Sequence, residues 1–100
     1  MTNKSIKYGS INNTSELGKL VRAHRKNRNL PLETVSGIAN LGTRFLSEFE
    51  RGKETAEIGK VLKALQTIGL EVIIQPKGSK IITDFEIPIE YKSTKKENDK

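Results

Sequence analysis

Thr43, Arg44, Ser47 and Glu48 have the types and the spacing to read the edges of DNA bases. On one helix, residues four apart share a face, so the four lie together. Arginine pairs bidentately with guanine O6 and N7, glutamate accepts from the cytosine amino group, and threonine or serine serves several bases. Phe45, set among them, either packs beside the core or touches a thymine methyl. Arg22, Lys26, Arg28, Arg51 and Lys53 are candidates for phosphate contact, which sets orientation and much of the salt-sensitive affinity. The backbone N–H groups at Pro31–Leu32 offer one more phosphate site at a helix start.

Other chemistries lack their residues. Cysteine is absent and His24 is the single histidine, so neither a thiolate nor a multi-histidine metal site exists. His24 closes an apolar stripe with no ligand-type neighbour and reads as a packed or half-exposed histidine. There is no nucleophile–base set, paired-carboxylate signature or phosphate loop, so neither an enzyme nor a cofactor is expected. No apolar run approaches the ~20 residues of a membrane span and no signal-peptide pattern is present; a cytoplasmic protein is expected. The net charge of +6 is uneven. Residues 14–53 hold eight Lys/Arg against four Asp/Glu, whereas residues 54–91 hold four against six. A basic first part and a slightly acidic second part suggest two partners, the first polyanionic.

The elements that must position these residues follow from periodicity. Residues 1–13 are polar and aperiodic and read as a flexible N-terminal arm, with Tyr8 and Ile11 able to pack back. A first helix is expected from Thr14 to about Arg28, capped by Asn13, Thr14 or Ser15, with Leu17, Leu20, Val21 and His24 as its buried stripe. Pro31 suits the first turn of a second helix, which ends at Ala39 and turns Val35, Ile38 and Ala39 inward. Asn40, Leu41 and Gly42 form the turn, Asn40 tolerating the left-handed conformation. The third helix runs from Thr43 to about Arg51, with Leu46 and Phe49 inward and Gly52 as its stop. Glu54–Ile68 reads as a fourth helix on Ile58, Val61, Leu62, Leu65 and Ile68. Leu70–Gln75 changes to a β-branched run between Gly69 and Pro76 and reads as a strand. A lone strand cannot satisfy its backbone, so it must pair with a later strand or a second copy. In residues 81–91, Ile81, Phe85, Ile87, Ile89 and Tyr91 share one face, and Pro88 restricts the segment to an edge strand or an extended docking segment. Residues 92–100 form a charged tail expected to be disordered.

From Leu17 to Val72 the chain resembles the helix-turn-helix family of phage lambda repressor and Cro (XRE), and within it the HipB-type antitoxins that partner HipA-like kinases. The residues that carry this are LGKLVRAHRK (17–26), LPLETVSGIANLGTRFLSEFERGK (30–53) and KVLKALQTIGLEV (60–72). The resemblance implies that Thr43, Arg44, Ser47 and Glu48 face the major groove and that Val35, Leu41, Leu46 and Phe49 form the motif's core. It implies an ion pair between Arg25 and Glu50, not a DNA contact for Arg25. It also implies a homodimer joined through paired strands, here Leu70, Val72, Ile73 and Ile74. Three positions depart from the family pattern: Asn40 where glycine is common, Ser36 where alanine is, and Leu32 where a polar phosphate-binding residue is. At Leu32 the backbone N–H must serve instead.

The expected fold is mainly α, a lambda-repressor-like domain of four to five helices over residues 14–69. A C-terminal β element over 70–91 pairs it into a homodimer. The resemblance implies an antitoxin that binds a palindromic operator in double-stranded DNA, represses its own operon, and neutralises a HipA-like serine/threonine kinase toxin of one or two subunits. Ile81–Tyr91 is either the toxin-docking segment or the second strand of a hairpin with 70–75. Rival readings are a stand-alone phage-type repressor and a general nucleic-acid binder acting through charge.

Overall fold

The computed structural model describes residues 5–79, which contain four helices: α1 (Thr14–Asn27), α2 (Leu32–Ala39), α3 (Thr43–Glu50) and α4 (Ile58–Thr67). None of them is long and apolar enough to cross a membrane. The helices are short because left-handed residues stop them. Asn29, Asn40, Gly52 and Gly69 all have positive φ, between 57° and 90°. After each, the next N–H reaches back to a carbonyl five residues earlier: Leu30 to Arg25, Leu41 to Ser36, Lys53 to Glu48, Leu70 to Leu65. That closure satisfies carbonyls the helix end leaves free. At three of the four stops the residue that follows is a leucine, and it packs on the core.

α1 has the one side-chain N-cap among the four helices. Asn13 Oδ1 accepts from the Glu16 N–H at 2.8 Å, while Glu16 Oε1 accepts from the Asn12 N–H at 2.9 Å. This is a capping box displaced by one residue. α2 begins after Pro31 in extended conformation, so the proline precedes the first turn instead of occupying it.

The core gathers Val21 from α1, Val35 and Ala39 from α2, Leu41 from the turn, Leu46 and Phe49 from α3, and Val61, Ala64, Leu65 and Ile68 from α4 and its end. Leu17, Leu30, Leu32, Phe45, Ala56 and Leu70 pack against it half-buried. Four expected core residues are outside it, Leu20 being half-buried along the groove beside residues 5–12. Ile38 is 69% exposed, Ile58 67% and Leu62 40%. In α4 the buried arc is centred on Val61 and Ile68 and takes in Ala64. Reading by side-chain size turns the helix toward Leu62 by about one residue, or 100°. In two-turn α2 the buried face is narrow, and Ile38 falls beside it. α4 also starts four residues later than expected, because a turn from Lys53 to Ala56 docks Ala56 on the core first.

His24 is 5% exposed and fully partnered. Its Nε2 lies 2.8 Å from the Ile68 carbonyl and its Nδ1 2.7 Å from the Tyr8 hydroxyl. A carbonyl only accepts, so Nε2 carries the proton and Nδ1 accepts from Tyr8 in the neutral ring. His24 thereby ties residues 5–13 on one side and the end of α4 on the other to α1. Tyr8→Phe keeps the edge-on contact of the two rings, whose centroids are 5.6 Å apart, and removes the hydroxyl. It is expected to cost about 0.5–1.5 kcal/mol in urea unfolding.

Residues 70–75 form no ladder among the described residues; Leu70 instead closes the end of α4, and Val72, Ile73 and Ile74 are exposed. Among the described residues there is no second extended segment beside it to supply a ladder. The segment 81–91 and the tail lie outside the described residues.

Candidate nucleic-acid interface

α2, a three-residue turn and α3 make a helix-turn-helix, with α1 packed along α3 and α4 along α2. The turn is set by Asn40, at φ 57° and ψ 47°, whose N–H returns to the Ser36 carbonyl. The Ser36 hydroxyl in turn donates to the Leu41 carbonyl, so the serine that stands where the family favours alanine adds a bond across the turn.

α3 separates its faces cleanly. Leu46, Phe49 and Glu50 are buried, while Thr43 and Arg44 are exposed and Ser47 and Glu48 half-exposed. The outer four span about 140° of the helix at 100° per residue. Phe45 takes the packing alternative. It is half-buried, stacked on Phe49 at 6.2 Å between centroids, with Lys60 Nζ 5.7 Å from its ring.

The outer face is already ordered by its own pairs. Glu48 accepts from Arg44 Nε at 3.2 Å and from Lys53 Nζ at 2.9 Å. Arg51 donates to the Ser47 hydroxyl at 3.0 Å. Arg51 and Lys53 therefore belong to the C-terminal corner of α3. Arg22, Lys26 and Arg28 are exposed on and just after α1 and form no ion pair among the described residues. Arg28 lies near Gly69 at the end of α4, and Lys26 lines a groove of about 810 Å³ between α1 and residues 5–12. Leu32 turns its side chain toward the core and leaves only its backbone N–H for contact.

The hydrogen bond from Lys53, and then that from Arg44, hold the Glu48 carboxyl below the ordinary glutamate range. A depressed folded-state value means the pairing is complete above the unfolded-state value and is lost as pH falls through the lower one. Carboxyl-detected NMR titration is expected to give Glu48 a midpoint below the ordinary value. Lys53→Met is expected to raise that midpoint more than Arg44→Met does.

Behind the face, Arg25 and Glu50 form a two-pronged ion pair, Nε to Oε2 at 2.7 Å and Nη2 to Oε1 at 2.9 Å. Arg25 Nη1 also donates to the Leu30 carbonyl at 2.8 Å. The bond to Glu50 raises the Arg25 guanidinium above its usual value against the opposing pull of burial. Sequence reasoning missed Gly18 and read Gly52 only as a helix stop; together they let α1 approach the end of α3. A Cβ on Gly18 would run into the backbone of Phe49 and Glu50, and one on Gly52 into that of Ser15. Thr14 Oγ1 donates to the Gly52 carbonyl at 2.9 Å and closes this approach. A glycine inside an otherwise periodic helix was the available signal.

The chain matches no family model. It is 43% identical over 70 residues to the HTH-type transcriptional regulator y4mF of Sinorhizobium fredii, covering 70% of this chain and 92% of the relative. The chain belongs to the HTH-type transcriptional regulators. Among solved structures it is similar to the HipB-O4 20mer complex, with a TM-score of 0.66 at 14% identity over 70% of this chain and 99% of that one. A structure described as MDT Protein matches with the same score, identity and coverage. The regulator thus has the fold of HipB, the type its sequence resembles.

Proposed function

We propose that this regulator binds a palindromic operator in double-stranded DNA as a homodimer, represses its own operon, and neutralises a HipA-like kinase toxin of one or two subunits. The observation that carries the DNA reading is the α3 outer face, polar, accessible and backed by a fixed core. Thr43, Arg44 and Ser47 contact bases, and Arg51, Lys53, Arg22, Lys26, Arg28 and the Leu32 N–H contact phosphate. The HipB neighbour, solved as an O4 20mer complex, supports this assignment by its fold. The exposed, unpaired run at Val72, Ile73 and Ile74 supports pairing of residues 70–75 with a second copy. Two reading helices then fall about one DNA turn apart.

Footprinting on the upstream region of the operon tests operator binding. Arg44→Ala is expected to lose about 1–3 kcal/mol of discrimination at one base pair of each half-site while random-sequence affinity falls less. Equal losses on specific and random DNA remove Arg44 from the base readers. Ile81, Phe85, Ile87, Ile89 and Tyr91 are assigned to toxin contact. A chain ending at residue 80 that still captures the kinase undiminished refutes that role.

The second reading is a stand-alone phage-type repressor, with which the y4mF relative's description as an HTH-type transcriptional regulator is equally consistent. Co-purification of a kinase with the chain from its host separates the two.

A further inference from the structure

We infer that Glu48 positions Arg44 for base contact and holds the neighbouring positive charge back from the phosphates, so that it sets specificity without reading a base itself. The inference rests on α3 as the base-reading helix. Glu48 Oε2 accepts a hydrogen bond from Arg44 Nε at 3.2 Å, and Oε1 accepts one from the Lys53 ammonium at 2.9 Å. The Glu48 side chain is 26% exposed and that of Arg44 90%, so the carboxylate sits at the foot of the pair and the guanidinium stands out from it. With Nε engaged, the two terminal nitrogens of Arg44 remain as a free fork, the geometry that guanine O6 and N7 accept. A guanidinium fixed on one edge loses less rotamer freedom when that fork engages a base.

The same contacts argue against Glu48 as a reader. Both oxygens already accept from cations, and accepting from a cytosine amino group would displace one of them. Arg44 and Lys53 together carry two charges, of which Glu48 neutralises one. Without it both attract phosphate whatever the sequence. A carboxylate on the reading face also repels the phosphates of a wrongly seated duplex, which lowers the affinity of competing complexes.

The test uses the full chain, the duplex that the wild type selects from a randomised pool, and a random duplex of equal length. Glu48→Gln keeps the shape and removes the charge. It is expected to raise random-duplex affinity roughly three- to tenfold and to steepen the slope of log affinity against log salt by about 0.9. It is expected to lower guanine discrimination roughly tenfold at the base pair whose preference depends on Arg44. In an Arg44→Ala background, Glu48→Gln should alter base preference nowhere. A change of preference at a base pair that Arg44→Ala leaves alone would show that Glu48 reads that base, and overturns the inference. So does a Glu48→Gln protein with wild-type salt slope and random-duplex affinity. A wild type that selects no sequence at all would instead overturn the base-reading role of α3, and this inference with it.

Discussion

Arg25→Ala is expected to destabilise the domain by about 3–5 kcal/mol, because it leaves the Glu50 carboxylate buried without a partner. Arg25 and Glu50 are each 7% exposed, and three of the arginine's N–H groups are committed, two to Glu50 and one to the Leu30 carbonyl. Removing the guanidinium strands a charge and a carbonyl together. A single core in a domain this small rarely supplies more than about 3–5 kcal/mol, so the variant should be largely unfolded at 37 °C without DNA. Its thermal midpoint should fall by tens of degrees, at about 4–8 °C per kcal/mol. Glu50→Ala should cost a similar amount, now stranding Arg25. The double change Arg25→Met with Glu50→Leu should recover most of the loss, since a buried pair replaced by apolar groups of like volume is often neutral. A double variant as unstable as the singles would mean that the pair itself stabilises the fold. The pair spans the last turn of α1, the loop to α2 and the end of α3, so its loss also frees α3 from its support.

The helices were legible because their stops are local chemistry. Asn40 and Gly52 announce left-handed ends in the sequence; α3 begins where it is expected, and α2 one residue after Pro31. The core of α3 was legible because Leu46 and Phe49 are large and three apart. Side-chain size misled where a small residue takes the buried place: Ala64 is 2% exposed while Leu62 is 40%. Ile38 was misread because an eight-residue helix gives periodicity too few turns to fix its phase. The Glu48 pairs with Arg44 and Lys53 were not foreseen. The spacing to Arg44 is a helical i, i+4 pair, but that to Lys53 exists only because Gly52 turns the chain back at φ 90°. The strand expected at 70–75 forms no ladder among the described residues, because a β-branched run marks a tendency to pair and not the partner that pairing needs.

Gly18→Val should leave no folded protein at 25 °C, and Gly18→Ala should lose about 1–3 kcal/mol in spite of alanine's better helix propensity. In an open helix interior, Gly→Ala is worth roughly 0.5–1 kcal/mol in the stabilising direction. Gly37 is such a position: it lies within α2 and a Cβ there meets nothing within 4 Å. Gly37→Ala should therefore raise the urea midpoint while Gly18→Ala lowers it, the same substitution with opposite sign. At Gly18 the obstacles are the carbonyl oxygens of Phe49 and Glu50, which are backbone atoms and cannot swing away as a side-chain end would. The new methyl must push α1 off α3. That displacement stretches the Arg25–Glu50 pair and the Thr14–Gly52 bond, both of which cross the same interface. Gly18→Ala should therefore combine less than additively with Arg25→Ala, because each removes contacts that the other also breaks. Additive losses in that cycle would mean that the methyl is accommodated locally, without separating the helices. A Gly18→Ala protein as stable as Gly37→Ala would mean that α1 does not approach α3 as closely as Gly18 allows.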